Sequence, residues 1–278
     1  MDTLKAFLRH PSGMIGLAIL VVIVALALAA PLLYPNDPWD MVGRPFAPPF
    51  SDGFLLGSDT LGRDIAAGIV HGTRVSLTIG VASTLAAVLI GVLVGAVAGY
   101  WGGAVDDALM RLTELFQTIP GFILAILLVA TLGPSLVNVV FAIGAVSWPP
   151  LARLTRAEFL RLRGREFVQA AACQGQTALA VVLRHILPNA VSPIIVTGSL
   201  TIASAILIES ALSFMGLGDP NLMSWGFMVG ASRTVIRQAW WMSVFPGVAI
   251  LLTVLAINLL GEGLNDTLNP RIARGGRH

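Results

Sequence analysis

"REFVQAAACQGQTALAVVLRHILPNAV", residues 165–191, is a polar, small-residue stretch in a chain that is otherwise overwhelmingly apolar. Phe167, Val168, Ala170 and Ala171 alternate with polar neighbours up to Gly175. Leu179, Val182, Leu183 and Ile186 then recur at i, i+3, i+4 and i+7. The pattern predicts two short helices, the first ended by Gly175 just past its C-cap, the second amphipathic and stopped at Pro188. From Arg153 to Pro188 the chain carries six arginines and two glutamates. No run in this segment is apolar for the roughly 20 residues that a bilayer crossing takes, so it lies outside the hydrocarbon.

Around that piece, the composition points to a membrane. The 278 residues are 56% hydrophobic and 12% charged, with a mean hydropathy of +0.84, too little polar surface to cover a soluble globule. Apolar runs near 14–33, 75–99, 115–133, 135–152, 190–213 and 242–262 predict six spans. Lys5, Arg9 and the "ALA" at 27–29 imitate a secretory signal. The apolar stretch behind them is longer than a signal core, however, and reads as an uncleaved span.

Arginine and lysine set the orientation. With the N-terminus inside, Lys5, Arg9, Arg111, Arg153, Arg156, Arg161, Arg163, Arg165, Arg184, Arg271, Arg274 and Arg277 fall on the inner face. Arg44, Arg63, Arg74, Arg233 and Arg237 fall outside. Twelve against five places both termini in the cytoplasm, and the net charge of +2 then needs no nucleic-acid partner. The single cysteine, Cys173, reads as a small packing residue. His10, His71, His185 and His278 show no metal-ligand spacing.

Local signals fill in the connections. Between the first two spans, a Pro-rich loop gives way to "LLGSDTLGRDIAAGIVHGTRVSL", where Ser58, Asp59 or Thr60 could cap a short surface helix; Asp59 with Arg63, and Thr60 with Asp64, fall at i,i+4. Gly91, Gly95 and Gly99 clear one helix face for close packing, against either this chain or another subunit. Pro120–Gly121 and Pro149–Pro150 mark kinks or helix ends, and "GPS" at 133–135 marks a tight turn. Trp225, Trp240 and Trp241 read as interfacial anchors of an outer loop.

The chain carries no motor of its own. A phosphate-binding loop needs a lysine after its second glycine, and the only lysine is Lys5 in "DTLKAF". No Rossmann fingerprint or Ser/His/Asp set is present either, so energy comes from a partner that hydrolyses ATP or from an ion gradient.

"QAAACQGQTALAVVLRHILP" (169–188) resembles the cytoplasmic motif of permease subunits of binding-protein-dependent ATP-binding-cassette importers. Ala170, Ala171, Gly175, Leu187 and Pro188 stand at the family's positions, while Gln169 replaces its initial Glu and His185 its usual Ile. "LGSDTLGRDIAAGIVHGTRVSL" (56–77), "ESALSFMGLG" with "SWGFM" (209–228) and "PGVAILLTVLAINLLGEGLNDTLNPR" (246–271) are similar to blocks of the dipeptide/oligopeptide/nickel group, C-type subunit.

The resemblance implies an all-α, multi-pass inner-membrane permease. Residues 1–73 would form a tail, a first span and a periplasmic segment, and 74–278 a five-helix core with a coupling loop at about 153–188. This chain would perform no catalysis and bind no cofactor. A second, related permease would pair with it, two ATPase subunits holding ATP and Mg would dock at Gln169, Ala170, Ala171, Gly175, Leu187 and Pro188, and an external binding protein would deliver di- or oligopeptides. Nickel chelates, glutathione or opines are the alternative cargoes, and an ion-coupled secondary transporter the alternative class. Glu209, near the outer end of the fifth span, is either a substrate or gate contact or a carboxylate reaching interfacial water or a partner arginine. Asp59, Arg63 and Asp64 are either a contact for the binding protein or a local ion-pair network. Asp106, Asp107, Arg111, Glu114, Glu262 and Asp266 read as solvated.

Overall fold

The structure, a computed structural model, describes residues 7, 8 and 10–268. Lys5, Arg9, His278 and the three arginines at 271, 274 and 277 lie outside the described residues. Helix α1 spans Pro11–Leu33, α2 Ile65–Trp101, α3 Gly103–Thr118, α4 Gly121–Leu132, α5 Leu136–Arg163 and α6 Glu166–Cys173. A continuous helix, α7, runs Ala178–Phe214, followed by α8 (Trp225–Ser232) and α9 (Trp241–Leu268). Among the described residues there is no strand beyond two isolated bridges, Ser51 with Phe54 and Ser58 with Asp64.

Five helices, α1, α2, α5, α7 and α9, are long and apolar enough to cross a membrane; the count reaches six if α3 and α4 together form one span. That pair bends by 81°. The run at 115–133 is therefore not the straight span its hydropathy predicts. Pro120 has no N–H to donate, and the residue before it, Ile119, takes extended dihedrals of −92° and 129°. The twelve residues of α4 reach only about 18 Å at the helical rise, short of a bilayer core. Pro149 and Pro150 do not end a helix, because α5 continues through both. Gly133, at φ +92°, and Ser135, whose hydroxyl accepts from the Asn138 N–H, make the expected tight turn.

The longest seam joins α2 to α5 and answers the glycine question within the chain. A Cβ at Gly91 would stand 2.6 Å from Leu151 Cβ, one at Gly95 2.7 Å from Thr155 Cβ, and one at Gly99 2.6 Å from Phe159 Cβ. Only glycine lets the two backbones approach this closely. The proposed boundary at 73/74 falls inside α2, whose cap is Asp64: its carboxylate accepts from the Ala66 N–H at 2.8 Å. Residues 58–64 form turns in place of the expected short helix. Asp59 takes the N–H groups of Leu61 and Arg63, and Gly57 and Gly62 sit at φ +86° and +80°. Trp225 and Trp241 are buried, with indole N–H groups donating to Ile69 O and Ser58 O; only Trp240 is exposed as an interfacial anchor would be. Cys173 is exposed, contrary to a packing role.

Pro31 inside α1 leaves the Ala27 carbonyl without its usual i+4 donor. Arg74 of α2 supplies one: Nε donates to Ala27 O at 2.6 Å and Nη2 to Leu28 O at 3.2 Å. An exposed arginine beside α1 is thus held by backbone oxygens. We expect Arg74→Gln to lower stability by about 1–3 kcal/mol, and the same change in a Pro31→Ala background, where residue 31 regains its own N–H, to cost much less. Thermal unfolding of the two pairs in detergent measures that coupling; equal costs in both backgrounds would contradict it.

Candidate functional site

Two regions gather the polar residues, one at each end of the bundle. The first is the hairpin made by α6 and the start of α7. Gly175, at φ +79°, closes α6 with two bonds: Gly175 N–H to Ala172 O at 3.0 Å and Gln176 N–H to Ala171 O at 3.3 Å. These are the paired bonds of a glycine-terminated helix end, as its position predicts. Thr177 then caps α7 through the Ala180 N–H.

The second helix does not stop at Pro188. It widens to a π turn over Val182–Ile186, with Leu187 N–H reaching Val182 O, and continues into the span. A wider turn just before a proline accommodates its missing N–H and the clash its ring would cause. The extra residue also rephases the face. Val181, Ile186, Ala190 and Ile194 are buried with Phe159, Leu162, Val168 and Ala171, whereas Leu179 and Leu183, expected on the apolar face, are 67% and 52% exposed. Of the residues singled out in the sequence, Ala171 is buried in the hairpin's own core, Leu187 is half-buried, and Gln169, Ala170, Gly175 and Pro188 are exposed. The hairpin thus presents Gln169, Ala170, Phe167, Leu179 and Leu183 outward on a base fixed to the span.

Two contacts tie that base to its neighbours, and neither was signalled in the sequence. Arg156 of α5 grips Asp106 of α3 by both carboxylate oxygens, with Nη2 donating to Oδ2 at 2.6 Å, and Asp106 is buried. Fifty residues separate the two, so no local spacing signalled the pair; Asp106 is not the solvated charge it resembles. Arg163 Nη1 donates to Tyr100 O at 2.7 Å, placing a cation on the last turn of α2. Asp266 is likewise engaged, its Oδ2 lying 3.0 Å from His10 Nε2, which joins the start of α1 to the end of α9.

At the opposite end, Glu209 of α7 faces inward and is only 2% exposed. Oε1 accepts from Ser213 Oγ at 2.8 Å and from Ser224 Oγ at 2.7 Å. Ser224 relays the bond, because its oxygen also caps α8 by accepting from Phe227 N–H at 3.0 Å. The adjacent Trp225 N–H donates to Ser76 Oγ of α2. Glu209 therefore anchors α8 between α2 and α7, and reaches neither open water nor an arginine among the described residues.

Asp59, Arg63 and Asp64 come together beside α8, around a cavity of about 20 Å³ walled by Met223, Met228 and Met242, room for about one water. Their charges are turned inward. Arg63 lies 3.9 Å from Asp59 and stacks on Trp39 with its guanidinium carbon 4.6 Å from the ring centre. Burial pushes the Asp64 carboxyl above its ordinary range, against the backbone N–H bonds from Ala66 and Ala67 that hold it down.

Residues 91–274 match the model of the binding-protein-dependent transport system inner membrane component. Residues 1–49 match that of the N-terminal transmembrane domain of oligopeptide transport permease C. The chain is 40% identical over 276 residues to the di/tripeptide transport system permease protein DppC of Pseudomonas aeruginosa, covering 96% of this chain and 91% of that one. It is 38% identical to the oligopeptide transport system permease protein OppC of Escherichia coli K12, covering 97% and 90%. A solved structure described as an amino acid ABC transporter with histidines superposes with a TM-score of 0.56 at 13% identity, over 72% of this chain and 94% of that one, which speaks to the fold alone. This chain belongs to the binding-protein-dependent transport system inner membrane components: it is a multi-pass inner-membrane permease of the ATP-binding-cassette class.

Proposed function

We propose that this chain is the peptide-conducting permease subunit of an importer driven by separate ATPases. The observation that carries the reading is the hairpin. Its turn is fixed by Gly175, its base is locked to α2 and α3 through Arg163 and Arg156, and its outer helix is one piece with the α7 span. A push on α6 therefore has no loose joint in which to dissipate before it reaches α7.

In this reading both termini are cytoplasmic, and Gln169, Ala170 and Gly175 meet a cleft on one of two ATPase subunits. Ala171, Leu187 and Pro188 hold the hairpin's shape. ATP and Mg belong to those partners; this chain holds neither and breaks no bond. A second, related permease completes the pathway, and a binding protein delivers cargo at the α8 end, where Asp59, Arg63 and Asp64 shape the landing surface without offering free charges. Glu209 acts on the gate by holding α8, not by touching cargo.

Di- and oligopeptides are the cargo favoured by the named relatives. The test is uptake of a labelled tripeptide by liposomes carrying the purified assembly and its binding protein. ATP-dependent accumulation that unlabelled peptide competes away, and that nickel chelates and opines do not, is the expected result. Uptake driven by an ion gradient without ATP would overturn the reading.

A further inference from the structure

Beside α8 lies a second cavity, of about 230 Å³, between the end of α7 and the loop that follows it. Phe214, Pro220 and Phe227 form apolar walls, Gly216 and Gly218 contribute no side chains, and the only charged residue in the lining is Arg233. That guanidinium is exposed; among the described residues its one bond is Nη1 to Phe214 O at 3.4 Å, and no carboxylate comes within 4.0 Å of it. The nearby Asp219 is spoken for: Oδ2 accepts from Leu136 N–H and Oδ1 from Asn221 N–H, both at 3.0 Å.

We propose that Arg233 and this cavity form a subsite that receives the free carboxylate end of the transported peptide. The inference rests on the peptide reading above. A fork of guanidinium donors fits a carboxylate two-to-two, more closely than it fits any neutral group. The volume is below that of a pocket for a whole drug-sized ligand, which suits a chain end better than an entire peptide. The aromatic walls suit a terminal side chain of any sequence. The cavity also opens where the exposed face of α7, Leu200, Ser204, Leu207 and Phe214, reaches its end. A permease that passes many sequences is best served by gripping what all of them share, and the terminal carboxylate is such a group.

The experiment uses the complete assembly in liposomes with Cys173→Ser and Ala231→Cys, since Ala231 lines the cavity and is exposed. The rate at which a maleimide labels the introduced thiol is measured with a tripeptide acid, with its C-terminal amide, and with the binding protein alone. The acid should slow labelling and the amide should not. Arg233→Gln should weaken that protection at least about tenfold, the scale of one charge-assisted bond, and Arg233→Lys should restore part of it. Equal protection by acid and amide, protection that survives Arg233→Gln, or slowing by the binding protein but not by peptide would each overturn the subsite; the last would give Arg233 to protein docking. Uptake of the same tripeptide is followed in parallel. Normal uptake with failed protection removes only the Arg233 inference, whereas absent uptake removes the peptide reading beneath it.

Discussion

Gly175→Val leaves a protein that inserts and assembles, yet imports at least about fivefold less per ATP hydrolysed. The residue sits at φ +79° in the hairpin turn, and an added Cβ would meet nothing within 4 Å, so the defect is one of backbone conformation and not of bulk. A side chain in the left-handed region costs about 1–2 kcal/mol, a β-branched one more. One to two kcal/mol shifts a two-state equilibrium by about 5- to 30-fold. The cheapest escape is to release the bonds from Gly175 N–H and Gln176 N–H, which frays the end of α6 and moves Gln169 and Ala170 off their presented positions. Gly175→Asn, which tolerates the same conformation, should import nearly normally. Parallel assays of uptake and phosphate release read the ratio. A valine variant with normal coupling would contradict the hairpin's role, and an asparagine variant as poor as valine would shift the cause from turn geometry to the exposed surface itself.

The second large effect is on stability. Gly95→Leu drives a side chain into Thr155 and the backbone around Ala152 and Arg156, where α2 and α5 have no slack. Overpacking a tight site costs about 1–3 kcal/mol for modest additions, and four carbons against backbone exceed that range. The expected result is loss of monodisperse protein after mild heating in detergent, with Gly95→Ala intermediate. Gly247→Ala is the control: it lies in α9, its Cβ would meet nothing within 4 Å, and alanine favours helix over glycine. A Gly95→Leu protein as heat-stable as the parent would mean that the seam yields, and the close approach of α2 to α5 would no longer explain the three glycines.

Much of the bundle is legible in the sequence because bilayer crossing is a coarse demand that composition records well. The apolar runs that became α1, α2, α5, α7 and α9 are long, and the Gly91, Gly95 and Gly99 register survives as a packed face. Failures cluster where a single backbone event overrides periodicity. Pro120 bends the third run, the π turn before Pro188 moves Leu179 and Leu183 to the surface, and the turns at Gly57 and Gly62 replace a short helix with loops. Hydropathy has no term for any of these. The long-range polar pairs were invisible for a different reason. Asp106 with Arg156, and His10 with Asp266, are brought together by the fold across long stretches of chain, and each alone looks like a charge at a helix end. Glu209 stood out correctly as a costly residue, but its three serine neighbours, Ser210, Ser213 and Ser224, come partly from its own helix and partly from the cap of α8. Only with the loop folded back does the carboxylate become an anchor.

The most direct test of the central claim is to purify the tagged chain from its native membrane in mild detergent and identify what accompanies it by mass spectrometry, before and after Gly175→Val. Recovery of a second permease and of ATPase subunits carrying phosphate-binding loops, with the parent and with the Gly175→Val protein alike, is the predicted result. A chain that emerges alone, or only with copies of itself, under conditions that keep other importers intact would contradict it, and the hairpin would then need a role that does not involve a motor.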